Sequence, residues 1–351
     1  PTGRSTTTTL NDAGQVASVQ VGTLAPVVYG YDLQGRVTSI SQSDGVQTRA
    51  VTFGYATNGW LETMTDAQNR TTTFQRDAVG RILQQISPEP SEVVGFTYDD
   101  DGNVTSVTPP SRPAHDFHYD SANRLREYAP PAVTGVPDPE TRYTYTPDHQ
   151  ADDTSLPQGS LLDFQHDGTT GKLTFLDTPE GDYTFTYDDE GGGDDTGKLE
   201  SVSVVHADVT IGTLTLSYTY DGDLVTEEAL TALVAGVEGV VGWGYDDQLR
   251  LDEETVQGDT VTYGYDSSGR LTTMGALTAT YDPDTDLLAT TTLGTVETTH
   301  SYSPFGDLAG VLYEAANTSF YEVSYARDEF GRMQTKTETR PGSSSLRCYE
   351  Y

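Results

Sequence analysis

The chain has 351 residues, 54 acidic side chains against 19 Lys and Arg, and a formal net charge of −35. That charge excludes nucleic acid and an anionic membrane surface as partners, since both need a basic face. With Gly counted and Tyr left out, about 38 % of the residues are apolar, below the roughly 45–50 % of ordinary globular chains.

Taken in chain order, the first clear element is Tyr29-Gly-Tyr31-Asp32-Leu-Gln-Gly35-Arg36-Val37. The same phrase returns as Phe96-Thr-Tyr98-Asp99-Asp-Asp-Gly102-Asn103-Val104 and as Phe117-His-Tyr119-Asp120-Ser-Ala-Asn123-Arg124-Leu125. It returns again as Phe185-Thr186-Tyr187-Asp188 and as Tyr263-Gly-Tyr265-Asp266-Ser-Ser-Gly269-Arg270-Leu271. The tyrosine position, or its replacement, falls at Leu10, Tyr31, Tyr55, Arg76, Tyr98, Tyr119, Tyr145, His166, Tyr187, Tyr220, Tyr245, Tyr265, Tyr281, Tyr302, Arg327 and Tyr351. These positions define a single array over residues 1–351, about 15 units of roughly 21–25 residues each. The widest interval, Tyr187 to Tyr220, carries a glycine- and acid-rich loop insertion near residues 190–197.

Within one unit the physical reading is a β-hairpin. Two aromatics spaced by two share a strand face, and the intervening residue points the other way. Asp starts the turn by bonding the backbone ahead, and Gly or Asn supplies the positive φ that ends it. The Arg that follows lies within reach of the Asp or of a ring face. A lone hairpin is marginal in water, so the units must lean on one another, and the repeated tyrosines form the seam between them. On that seam Tyr265→Ala is expected to remove a buried aromatic, at a cost on the order of 3 kcal/mol. Residues Glu227 to Val241 have some helical spacing but also Gly236, Gly239 and Gly242, which favours two strands around a turn. The alternative fold is a β-propeller with two units per blade, although unequal intervals count against regular blades.

These residues at this spacing resemble the YD repeat of Rhs-family proteins, which is shared with the C components of Tc toxins and with teneurins. The repeat set Tyr31, Asp32, Gly35, Arg36, Tyr98, Asp99, Gly102, Tyr119, Asp120, Arg124, Tyr187, Asp188, Tyr265, Asp266, Gly269 and Arg270 carries the likeness. The resemblance implies an all-β protein whose hairpins wind as a spiralling sheet around a hollow interior. It also implies a structural role, enclosing and carrying a polypeptide cargo such as a C-terminal toxin, or else cell-surface adhesion or carbohydrate binding. The partners so implied are the chain's own downstream polypeptide or neighbouring shell segments, at a secreted or cell-surface location in a prokaryote. Some 30 strands at about 4.8 Å make a strip on the order of 145 Å long. This is enough for about one turn of such a shell, read as a fragment of a longer one with open edges.

Several units depart from the pattern, so their turns are expected to differ, among them Tyr145-Thr146-Pro147-Asp148, Tyr281-Asp282-Pro283 and Tyr302-Ser303-Pro304-Phe305-Gly306. No catalytic set stands out, and the Asp-Pro-x-Gly-Leu autoprotease element of Rhs shells is missing, so no enzyme and no cofactor are expected. His115 and His118 are two short of a zinc site. The acids at Asp99–Asp101 lack the alternate-residue order of a calcium loop. Cys348 is alone, so no internal disulfide is possible. Three readings of the acidity remain: solubility of an open sheet by self-repulsion, adaptation to high salt, and a cationic cargo.

Overall fold

The computed structural model describes residues 5–88, 92–188, 197–206, 212–232 and 238–349. It contains 31 β-strands and, apart from them, only a three-residue 3₁₀ turn at Pro157–Gly159 among the described residues. Each tyrosine position from Leu10 to Arg327 lies at the C-terminal end of a strand, as in Val27–Tyr31, Val93–Tyr98, Gly181–Tyr187 and Thr318–Arg327. The sixteenth, Tyr351, is outside the described residues. The stretch Glu227 to Val241 contributes to the strands Leu224–Ala232 and Gly239–Tyr245, and residues 233–237 between them are not described.

Among the described residues the strand pairs are antiparallel and join consecutive strands. The chain divides into two compact units, residues 1–90 with 262–351 and residues 91–261. In the first unit, one arm pairs eight strands in unbroken succession from Thr6–Leu10 to Ile82–Ile86. The other arm runs the same way to Ser343–Cys348, from a strand, Asp259–Tyr265, that straddles the boundary between units. The second unit pairs fourteen strands from Val93–Tyr98 to Leu251–Val256. Such runs leave no four-stranded blades, and the propeller alternative falls.

The expected alternation is clearest in Gly181–Tyr187, where Tyr183, Phe185 and Tyr187 are half-buried and Asp182, Thr184 and Thr186 are exposed. The second face is a hydroxyl surface, knitted across strands by pairs such as Thr97–Thr105 at 2.8 Å, Thr186–Ser201 at 2.7 Å and Thr280–Thr290 at 2.7 Å. At every described tyrosine position the register slips by one residue, for example Gly30 opposite Ser39 but Tyr31 opposite Val37. This bulge goes with a turn that ends in a left-handed residue, and it adds local twist.

Little of the sheet is deeply buried. Only Val311 and Val323, which face each other across two strands, count as buried apolar side chains among the described residues, at 7 % and 4 % exposure. The exposed area is 21331 Å², against roughly 14,000 Å² for a compact monomer of this size. The apolar deficit in the composition is thus the signature of a single layer wet on both faces.

One expectation needs correction. Tyr265 is half-buried rather than buried, so Tyr265→Ala should cost about 2 kcal/mol instead of 3, because only part of the ring leaves water on folding. Two turn positions test the backbone. Gly269 has φ 81°, and Gly269→Ala should cost about 1 kcal/mol or more in denaturant melts. Leu249 occupies the same place with φ 61° and an exposed side chain, so Leu249→Gly should raise stability by about 1 kcal/mol.

Candidate functional site

The repeat residues assemble into a relay that crosses from one hairpin to the next. Asp32 Oδ1 accepts the amides of Gln34 (3.0 Å) and Arg36 (2.9 Å), while Oδ2 takes Arg36 Nε at 2.7 Å. Asp120 repeats this with Ala122, Arg124 and the Arg124 guanidinium, and Asp266 with Ser268, Arg270 and the Arg270 guanidinium. The main chain closes beneath each carboxylate, with Gly35 N–H donating to Asp32 O and Asp32 N–H to Arg36 O. At Asp99 the partner is Asn103, through its amide and Nδ2, and Asn103 Nδ2 also reaches Asn123 of the next turn at 2.9 Å. Gly102 supplies φ 91° there.

The cation then covers the tyrosine of the following unit. Arg36 lies 4.3 Å from the Tyr55 ring centroid, Arg124 4.6 Å from Tyr145 and Arg270 4.8 Å from Tyr281. Lys172 and Lys198 take the same place over Tyr187 and Tyr220. The hydroxyls of Tyr55, Tyr145, Tyr187 and Tyr281 donate back to the carbonyl just after that cation, on Val37, Leu125, Leu173 and Leu271, at 2.7–2.8 Å, and Tyr119 donates at 3.0 Å to Val104, which follows the neutral Asn103. Tyr31 does the same with Val16. Where arginine replaces tyrosine, the function survives, since Arg76 Nε reaches Leu61 O and Arg327 Nη2 reaches Leu308 O. Tyr98 and Tyr265 occupy the same strand-end position.

Departures from the motif change less than expected. Thr146 closes its turn on Gln150 and Ser303 closes its turn on Asp307 with the ordinary main-chain bonds. The Asp282 turn is one residue longer, closing on Leu287 as the Asp167 turn closes on Lys172. Asp188 N–H bonds Lys198 O and Gly197 N–H bonds Asp188 O, so the hairpin shuts in the usual way across the insertion. Of the insertion near residues 190–197, all but Gly197 lies outside the described residues.

The suspected metal ligands do not converge. His115 Nδ1 is 2.6 Å from Tyr128 Oη on one face, while the exposed His118 points to the other and lies 3.8 Å from Glu127. Asp99 is occupied in its turn. Among the described residues no three His, Cys, Asp or Glu side chains are grouped to hold a metal ion.

Sequence reading missed an acidic row. Asp153, Asp163, Asp177 and Asp182 stand directly opposite one another on four successive strands. Burial, then Asp152 and Asp163, pushes the Asp153 carboxyl up; burial, then Asp182 and Asp163, does the same at Asp177. No local signal marks the row, because its members are 5 to 14 residues apart along the chain and meet only through strand register.

The turn carboxylates shift in the opposite sense. Asp120 is lowered to about 2, chiefly by the Arg124 amide and then by its guanidinium. At Asp32 burial pushes upward, yet the Arg36 amide and guanidinium outweigh it. Asp120 therefore stabilises the fold fully above its unfolded pKa near 4, and this is lost as pH falls through about 2. Asp177 has the reverse sign, costing stability once pH rises through its raised folded value. In thermal melts Asp120→Asn should lower Tm at pH 7 and Asp177→Asn should raise it. Both differences should shrink toward zero as the pH is taken to about 2.

The sequence matches the family model described as Teneurin YD-shell over residues 3–351. Among solved structures, the crystal structure of TcdB2-TccC3-TEV is 13 % identical with a TM-score of 0.65, over 97 % of this chain and 21 % of that one. The crystal structure of TcdB2-TccC3 is 14 % identical with a TM-score of 0.65, over 96 % and 21 %. At such identity the likeness is one of fold, and this chain spans about a fifth of the length of the chains it matches. No curated protein matches. A family match over nearly every residue, on a ladder of hairpins tied by Tyr, Asp, Gly and Arg, settles the assignment: the chain belongs to the teneurin YD-shell family.

Proposed function

We propose that the chain is a wall segment of a protein shell that encloses, keeps inactive and carries a polypeptide cargo, a toxin being the cargo class suggested by its Tc relatives. The observation that carries this reading is a long antiparallel sheet with almost no core of its own. Such a sheet serves as a partition, with both faces free to meet solvent or contents. The role is structural rather than catalytic, exercised at the cell surface or after secretion. A charge of −35 supports it, because self-repulsion keeps a wide open sheet from associating edge to edge.

The rival reading, adhesion through carbohydrate, would use the repeated tyrosines as stacking platforms. Cations already lie over Tyr55, Tyr145, Tyr187, Tyr220 and Tyr281. The hydroxyls of all five are engaged by backbone. These engagements favour a load-carrying role for the rings.

Protease digestion of the natural polypeptide containing these repeats tests the proposal. A segment outside the repeats should resist cleavage as long as the shell is folded and become sensitive once acid or denaturant opens it. Cleavage of every such segment at the rate of an unfolded chain would refute enclosure, and saturable binding on a glycan array would favour adhesion.

A further inference from the structure

The two arms of the first unit lie against each other, and both are built from one repeat. Their alignment is therefore ambiguous by design: sliding one arm by a hairpin would bring equivalent turns into place with little change of main-chain shape. Three successive turns of the second arm, at 282–287, 303–307 and 328–332, meet the loop at 22–25, the start of the strand Thr48–Tyr55 and the turn at 66–70, each about 260 to 280 residues earlier in the chain.

The three contacts differ in kind. Gly22, at φ 50°, lies so close to Asp284 that a Cβ would overlap the Asp284 carbonyl. Ala25 N–H donates to Pro304 O at 2.8 Å. Arg49 stacks on Phe305 at 4.1 Å and forms an ion pair with Asp307 at 2.7 Å, with its guanidinium 3.0 Å from where a Cβ on Gly331 would stand. Phe330 is held between Arg70 at 4.8 Å and Arg332 at 4.7 Å.

Ser303-Pro304-Phe305-Gly306-Asp307 inverts the usual chemistry of the repeat turn. Ser stands where other turns have Asp, and Asp307 stands where they have Arg36, Arg124, Arg270 or Arg332. Phe305 and Phe330 are aromatic where other turns carry Gln34, Asn58, Val79, Asp101, Ala122, Gln248 and Ser268. A slip of one hairpin in one direction would set Arg332 against Arg49, like charge on like. A slip in the other would set Leu287 there and strip Arg49 of its carboxylate. We propose that this inverted turn, with Arg49 and the close approach at Gly22, is a register key that selects one alignment of the two arms from those the repeat permits. The device works as specificity does elsewhere, by combining an attractive match with a repulsive mismatch.

Disulfide trapping in the full 351-residue chain tests it, with Cys348→Ser removing the one native thiol. Ala25→Cys with Pro304→Cys reports the observed register, and Ala25→Cys with Glu329→Cys reports the slipped one. In the parent background the first pair should outyield the second by roughly tenfold or more, as expected for a preference near 1.4 kcal/mol. Ser303→Asp with Asp307→Arg rebuilds an ordinary turn, so the hairpin still closes, and it should erase most of that preference. Arg49→Ala removes both the match and the clash and should likewise erase most of that preference. Equal yields of the two pairs in the parent would overturn the key. So would a preference left unchanged by the turn swap or by Arg49→Ala.

Discussion

A single carboxylate at the start of the standard turn organises the rest of the molecule. Asp32, Asp120 and Asp266 accept two amides and a guanidinium each, and this does two things at once. It closes the hairpin locally, and it fixes an arginine that would otherwise roam so that its flat face meets the next tyrosine. The tyrosine answers by bonding the previous hairpin's main chain. Local turn chemistry is thereby converted into contact between neighbours, which a sheet without a two-layer core requires. An exposed ion pair alone contributes little. Here the pair serves mainly to hold geometry for a ring and a hydroxyl.

The pattern of substitutions supports this account. Arginine at 76 and 327 replaces tyrosine yet reaches the equivalent carbonyl, so what the position needs is a long side chain with a terminal donor and some apolar stem. His166 is shorter, and its buried Nδ1 has no partner. Lysine at 172 and 198 replaces arginine and still covers the ring, although it offers a point charge where arginine offers a plate.

Most of the fold was legible in the sequence because its information is local. Aromatic spacing, Asp, Gly and Arg together mark the end of a strand, the turn and the start of the return strand, and the strand ends fall where the motif places them. The repeat turns at Thr146 and Ser303 keep their shape because the main chain carries the closure and the side chain only reinforces it. What was not legible depends on register or on distant segments. The aspartate row needs the pairing of four strands, and the half-burial of Tyr265 needs knowledge that no second layer covers it. The contacts of Arg49 and Phe305 join residues some 260 apart, and in sequence they showed only as an irregular copy of the motif.

The closure at Asp188 has a wider consequence. Its main-chain bonds to Gly197 and Lys198 match those of a four-residue turn, although more residues intervene. Doubling the length of such a connection costs only about 0.6 kcal/mol in chain entropy. Each turn of this kind is therefore a port into which evolution or an engineer can splice foreign polypeptide, a tag, a loop or a whole small module. The strip itself need not be rewritten, since the neighbouring strands see only the same aspartate and the same cation at the mouth of the port.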